Sequence, residues 1–144
     1  MRNDKQREKG QSLTEMALSI TVIFILLGGL IDCMQLFFDF MALRDAAKEG
    51  VNYGIYNPAD TSGIVNRVTG ASNSPIIIEA SQVLPTFSGN VNASSGIACQ
   101  GAVITVTVQY QYTITAPFLG TLIGGQTFPI STNAKGTVVS PGCS

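Results

Sequence analysis

Histidine and tryptophan are both missing from this 144-residue chain. Without imidazole there is no histidine general base, no Ser-His or Cys-His pair and no His-ligated zinc, so the commonest hydrolytic and metal-dependent chemistries are excluded together. Charge is also scarce. Asp, Glu, Lys and Arg make up 12% of the residues, against roughly 25% in ordinary soluble domains. Beyond residue 50 the basic side chains are Arg67 and Lys135, too few to form the cationic surface that phosphate binding requires, so no nucleic-acid partner is expected. The chain has no G-x-S-x-G, no phosphate-binding glycine loop and no metal-ligand spacing, and its acids are dispersed. It reads as a non-enzyme without cofactor or metal.

What the chain has in excess is hydrocarbon, with 45% hydrophobic residues and a mean hydropathy of +0.30. Its length suits about one domain. Four of its eight basic residues, Arg2, Lys5, Arg7 and Lys9, precede residue 10, whereas residues 16–31 carry no ionised side chain. That run is shorter than the ~20 residues a membrane helix needs. The apolar character continues past Asp32, however, through Met34, Leu36, Phe37, Phe38, Phe40, Met41 and Leu43. A single membrane-spanning helix is expected, with Met16, Leu18, Ile20, Val22, Phe24, Leu26 and Leu30 in the lipid. The basic leader places the N-terminus in the cytoplasm and everything after about residue 35 on the far side. Leu30-Ile31-Asp32-Cys33 offers neither the small-residue site of a cleaved secretory signal nor that of a lipoprotein.

The segment Lys9-Gly10-Gln11-Ser12-Leu13-Thr14-Glu15-Met16-Ala17-Leu18 is a charged leader, a glycine, four residues, a glutamate and then hydrocarbon. It resembles the processing site of type IV prepilins. That resemblance implies a membrane-embedded prepilin peptidase cutting after Gly10, so that Gln11 becomes the first residue and Glu15 the fifth. A carboxylate at the head of an apolar helix is costly to desolvate unless it finds a partner. Cleavage would create one, the α-ammonium of Gln11, and the amine of one subunit meeting Glu15 of its neighbour would fix axial register. A local account also stands: Glu15 as a first-turn acid favoured by the helix dipole, with Ser12 as N-cap and Glu15 three residues on as a capping box.

From Asp32 the pattern becomes amphipathic. Cys33, Leu36, Phe37, Phe40, Leu43, Ala47 and Val51 recur at spacings of three and four, with Asp32, Asp39 and Asp45 off that stripe. One helix over residues 12–56 would be about 68 Å long, against ~30 Å of hydrocarbon, and Gly50, Gly54 and Asn57-Pro58 are its stop signals. The outer half is expected to pack through Leu36, Phe37, Phe40, Leu43 and Ala47, with Ala46, Gly50 and Gly54 permitting close approach. Asp45 and Lys48 read as a solvated i,i+3 pair.

The stretch Gly29-Leu30-Ile31-Asp32, followed by Phe40-Met41-Ala42-Leu43-Arg44-Asp45-Ala46-Ala47-Lys48-Glu49-Gly50-Val51-Asn52-Tyr53-Gly54, resembles the TadE family of pseudopilins from tight-adherence (Flp) pilus systems. Cys33, Met34 and Asn52 depart from that family's usual pattern. The resemblance implies a minor pseudopilin of the bacterial inner membrane whose partners are a prepilin peptidase, other pilin-like subunits with the assembly machinery, and membrane lipid. The alternative is a permanent single-pass anchor presenting a β-rich binding module.

After Pro58 the composition turns to Ser, Thr, Asn, Gly and Val. A short helix is expected over 60–69, capped near Asp60 or Thr61, and a strand over 76–84 closed by Pro85. The strongest alternation is Ile104, Val106, Val108, Tyr110, Tyr112 and Ile114, and a second run carries Phe128, Ile130, Thr132, Ala134 and Val138. The fold class is therefore α+β: a pilin-like long N-terminal transmembrane helix packed on a small antiparallel β-sheet domain. Its divisions are a leader over 1–10, the helix over 11–57 and an extracytoplasmic head over 58–144. Between the strands, loop 116–125 carries Phe118, Leu119, Leu122 and Ile123, which suit either core or an exposed patch. Cys99 and Cys143 fall in the part expected outside the cytoplasm, where oxidation is permitted. A Cys99–Cys143 disulfide closing a loop of about 44 residues would contribute ~3–4 kcal/mol in the chain-entropy account, the alternative being two buried thiols.

Overall fold

The structure is a computed structural model describing residues 4–72, 76–116, 120 and 124–140, with side chains from Gly10 onward. Its elements are helix α1 (Asp4–Gly54), helix α2 (Thr61–Ala71), a 3-10 turn (Ala80–Gln82), and strands β1 (Val83–Ser88), β2 (Val103–Thr113) and β3 (Thr127–Thr137). The strands form one antiparallel sheet in the order β1-β2-β3. This is the α+β class expected from the long apolar run and the two alternating stretches. The chain divides into two compact units, Met1–Gln35 with Thr113–Thr127, and Leu36–Tyr112 with Phe128–Ser144.

In the second unit the core is built where helix and sheet meet. Leu43, Ala46, Ala47 and Val51 of α1, Ile64 and Val68 of α2, and Ile104, Val106 and Val108 of β2 are all buried. Glycines set how closely these elements approach. A Cβ on Gly50 would strike the Val68 side chain and one on Gly54 would strike Ile104, while a Cβ on Gly136 would lie 2.5 Å from Val51 Cγ1. Gly50 is thus a packing contact inside α1 and not a stop signal. The helix ends at Gly54, where the N–H of Asn57 turns back to the Tyr53 carbonyl at 3.1 Å. Helix α2 starts where the sequence places it, with the Asp60 side chain accepting the N–H of Gly63 at 2.8 Å.

The strand expected over 76–84 lies further along the chain. Residues 76–79 have no regular structure, although Ile76 and Ile78 are buried. β1 opens at Val83 and runs through Pro85, which pairs with Val106. Because β1 is an edge strand, the N–H that proline lacks leaves no central ladder bond unmade. β2 matches the alternation closely, with Ile104, Val106, Val108 and Tyr112 all buried. In β3, Ile130 and Thr132 are buried, but Phe128 near the strand's start is exposed. Ala98, Ala102 and Val138 make a smaller cluster with Phe87 and Val91 against it.

Candidate assembly site

Helix α1 begins at Asp4, so Gly10, Gln11 and Ser12 are interior helical positions. Ser12 therefore cannot be the N-cap, and the capping-box account of Glu15 is corrected. Gly10, Gln11 and Glu15 are all exposed, and nothing lies within 4 Å of where a Gly10 Cβ would stand. Beyond them the hydroxyls turn inward: Thr14 Oγ1 donates to the Gln11 carbonyl at 2.8 Å, Ser19 Oγ to Glu15 at 2.9 Å and Thr21 Oγ1 to Ala17 at 2.8 Å. These three hydroxyls are thus satisfied within the helix, as a hydrocarbon surrounding requires.

The apolar run is bare. Met16, Leu18, Ile20, Val22, Phe24, Leu26 and Leu30 are exposed, Phe24 by 69%. The helix over Gly10–Gly54 is long and apolar enough to cross a membrane. A side-chain surface of this size facing water would be strongly unfavourable, at ~25 cal/mol per Å² of apolar area. The helix therefore calls for a lipid or protein cover.

Asp32, one residue past the charge-free run, is only 6% exposed. Its Oδ1 accepts the N–H of Thr115 at 3.2 Å and its Oδ2 accepts the N–H of Ala116 at 2.9 Å, while Thr115 Oγ1 donates to Gln35 Oε1 at 3.5 Å. Ala116 also lies over Gly28, where a Cβ would meet its methyl carbon at 3.7 Å. The N–H of Ile114 donates to the Gln126 carbonyl at 2.7 Å and draws together the two ends of the segment between β2 and β3. A carboxylate bonded to two backbone N–H groups has its desolvation largely compensated. The sequence showed only an acid closing a hydrophobic run; the partners, more than eighty residues away, left no local signal. Of the apolar residues noted for loop 116–125, Phe118, Leu119, Leu122 and Ile123 lie outside the described residues.

Further along α1 the expected packing stripe is rotated. Leu43 and Ala47 are buried and Leu36 is half-buried, but Phe37 and Phe40 are exposed. Asp39, expected off the stripe, is buried, as is Asp32. The physical reason is the run of small residues. Ala46, Ala47, Gly50 and Gly54 let α2 and the sheet come close to one side of the helix, and the larger Phe37 and Phe40 fall outside that contact. Asp45 and Lys48 form the exposed i,i+3 pair, at 2.8 Å.

At the junction of α1 and α2, Tyr53 Oη donates to Asp60 Oδ2 at 2.7 Å, and Asp60 Oδ1 accepts from Ser62 Oγ at 2.7 Å. The guanidinium of Arg67 stands 5.3 Å from the Tyr53 ring centroid. These hydrogen bonds, from Ser62 first and then from Tyr53 and the Gly63 N–H, hold the Asp60 carboxyl below the usual carboxylate range. Among the described residues no group of three or more His, Cys, Asp and Glu side chains is placed to hold a metal ion. Cys33 is an exposed free thiol and Cys99 is buried, whereas Cys143 lies outside the described residues.

Compared with known protein families, residues 10–52 match the family model described as TadE-like protein. No curated protein and no solved structure matches the chain.

Proposed function

Residues 10–52 match the TadE-like family model, and from that premise we propose that the chain is a minor pseudopilin taking part in assembly of a tight-adherence pilus. Its role is structural. A prepilin peptidase removes residues 1–10 by cutting after Gly10, and the helix over 11–57 spans the bacterial inner membrane with its apolar part, N-terminus cytoplasmic, while its amphipathic outer part protrudes. Residues 58–144 form the head outside. The new α-ammonium of Gln11 on one subunit neutralises Glu15 of a neighbouring pilin-like subunit and sets the axial register between them.

The observation that carries this reading is the conjunction of the family match with an exposed Gly10 and Glu15 heading a bare apolar helix. Glu15 stands exposed at the head of the apolar run, so a cationic partner from another chain would offset the cost of desolvating its carboxylate. The Cys99–Cys143 disulfide belongs to the same proposal. It is supported by the exposed, free state of Cys33, which leaves Cys99 and Cys143 as the pair.

Mass spectrometry of the N-terminus of protein isolated from its native membrane tests the reading. A chain beginning at Gln11 is the expected product. An intact leader, in cells whose peptidase processes other pilins, points to the permanent anchor instead. Glu15→Ala and Glu15→Leu should both insert in the membrane yet fail to co-purify with partner pilins. Normal assembly of both variants would remove the register role.

A further inference from the structure

Between Glu15 and Arg44 the chain has two charged side chains, Asp32 and Asp39, and both are buried. Asp32 is occupied on both oxygens by backbone N–H groups. The exposed apolar side chains, by contrast, do not stop at residue 31. Met34, Phe37, Phe38, Phe40 and Met41 are all exposed, Phe38 by 65%, and the Phe37 and Phe38 rings meet edge to face at 6.3 Å. Exposed charge resumes only with Arg44, Asp45 and Lys48.

We infer that the bilayer covers α1 as far as Met41, so that Phe37, Phe38 and Met41 are immersed in the outer leaflet and Arg44 to Lys48 mark the headgroup level. The inference rests on the reading of α1 as membrane-inserted and moves its outer limit from about residue 35 to Met41, somewhat under two turns. The occupant follows from continuity and charge. Residues 16–41 rise about 38 Å as helix, which exceeds the ~30 Å hydrocarbon and, with ordinary tilt, ends in the outer interfacial layer. Within that length every ionised group is withdrawn from the exposed surface. A watery surrounding would not demand that, and a lipid surrounding does. The head therefore stands with the base of its own helix wetted by lipid, Asp39 and Leu43 turned to its core and Phe38 to the acyl chains.

The absence of tryptophan makes the test direct. Single tryptophans are placed in the full chain as Phe38→Trp and, separately, Phe37→Trp, with Phe24→Trp as the mid-membrane reference and Tyr56→Trp as the aqueous one. The proteins are reconstituted in phosphatidylethanolamine and phosphatidylglycerol vesicles. Phe38→Trp and Phe37→Trp should show blue-shifted emission, lose most of it to lipids brominated near the headgroup end of the acyl chain, and resist acrylamide. Acrylamide quenching equal to that of Tyr56→Trp overturns the inference. So does protection from both quenchers, which would mean that a second copy of the helix covers this surface. If Phe24→Trp itself escapes lipid quenching, the membrane reading fails with it, and the two failures are thereby told apart.

Discussion

The most hydrophobic stretch of α1 is its most exposed part, whereas the stretch that enters the core is rich in alanine and glycine. Over residues 16–31 of α1 large aliphatic and aromatic side chains stand bare, whereas over 43–54 the buried positions are Leu43, Ala46, Ala47, Gly50, Val51 and Gly54. Hydrophobicity alone therefore does not tell which stretch of a helix enters a protein core. Side-chain volume does: small residues admit a neighbouring backbone, and large ones spaced all round the helix cannot be covered by a head of this size. One stretch owes its environment to surroundings outside the chain, the other to the chain itself.

The contrast is sharpest in a pair of truncations. Leu43→Ala removes a fully buried side chain and should cost the head about 2–5 kcal/mol. Leu26→Ala, in the bare stretch, should leave head stability within about 0.5 kcal/mol. Denaturant melts of the full chain in detergent, followed by tyrosine near-ultraviolet circular dichroism, give both numbers. Equal losses would break the distinction.

A smaller effect is expected where the apolar run ends. Asp32→Ala strips the acceptors from the Thr115 and Ala116 N–H groups. At about 1–3 kcal/mol for leaving such groups unsatisfied, amide exchange at those two positions should accelerate roughly 5- to 150-fold. Residues of β1 should be unaffected. Unchanged protection at Thr115 and Ala116 would mean that the turn holds without its carboxylate.

The smallest effect concerns Asp60. Its carboxyl is held below the usual range in the folded chain, so ionised Asp60 favours folding at pH above about 4, the unfolded value. That contribution disappears as pH falls through the lower folded value. Thermal melts of wild type and Asp60→Asn should therefore differ at neutral pH and converge in strong acid. A constant difference across that interval would assign the effect to lost capping geometry and not to charge.

Much of the fold was legible because its signals are periodic and local. The course of α1 through the apolar run to near Gly54, the start of α2 at Asp60, and the alternation that became β2 each follow from side chains close in sequence, although α1 itself begins earlier, at Asp4 within the leader. The errors came where a distant element decided the outcome. Phe37 and Phe40 were read as packing residues, but the faces of α1 were assigned by what α2 and β2 could approach. Pro85 was read as a strand terminator because only the sheet order reveals that β1 lies at an edge. Gly10, Gln11 and Glu15 were conspicuous in the sequence, and Asp32 was visible there as an acid without a task. Its acceptor role depends on backbone groups, which no side-chain pattern records.

The separation of Asp32 from Thr115, 83 residues, also has a consequence in time. At synthesis rates of about 5–20 residues per second, the ribosome finishes the acceptor's partners roughly 4–17 s after the acid itself. Throughout that delay a nascent chain presents a greasy helix ending in an uncovered carboxylate. The clasp at the end of the apolar run can therefore close only late in synthesis, once Thr115 and Ala116 have been added to the chain.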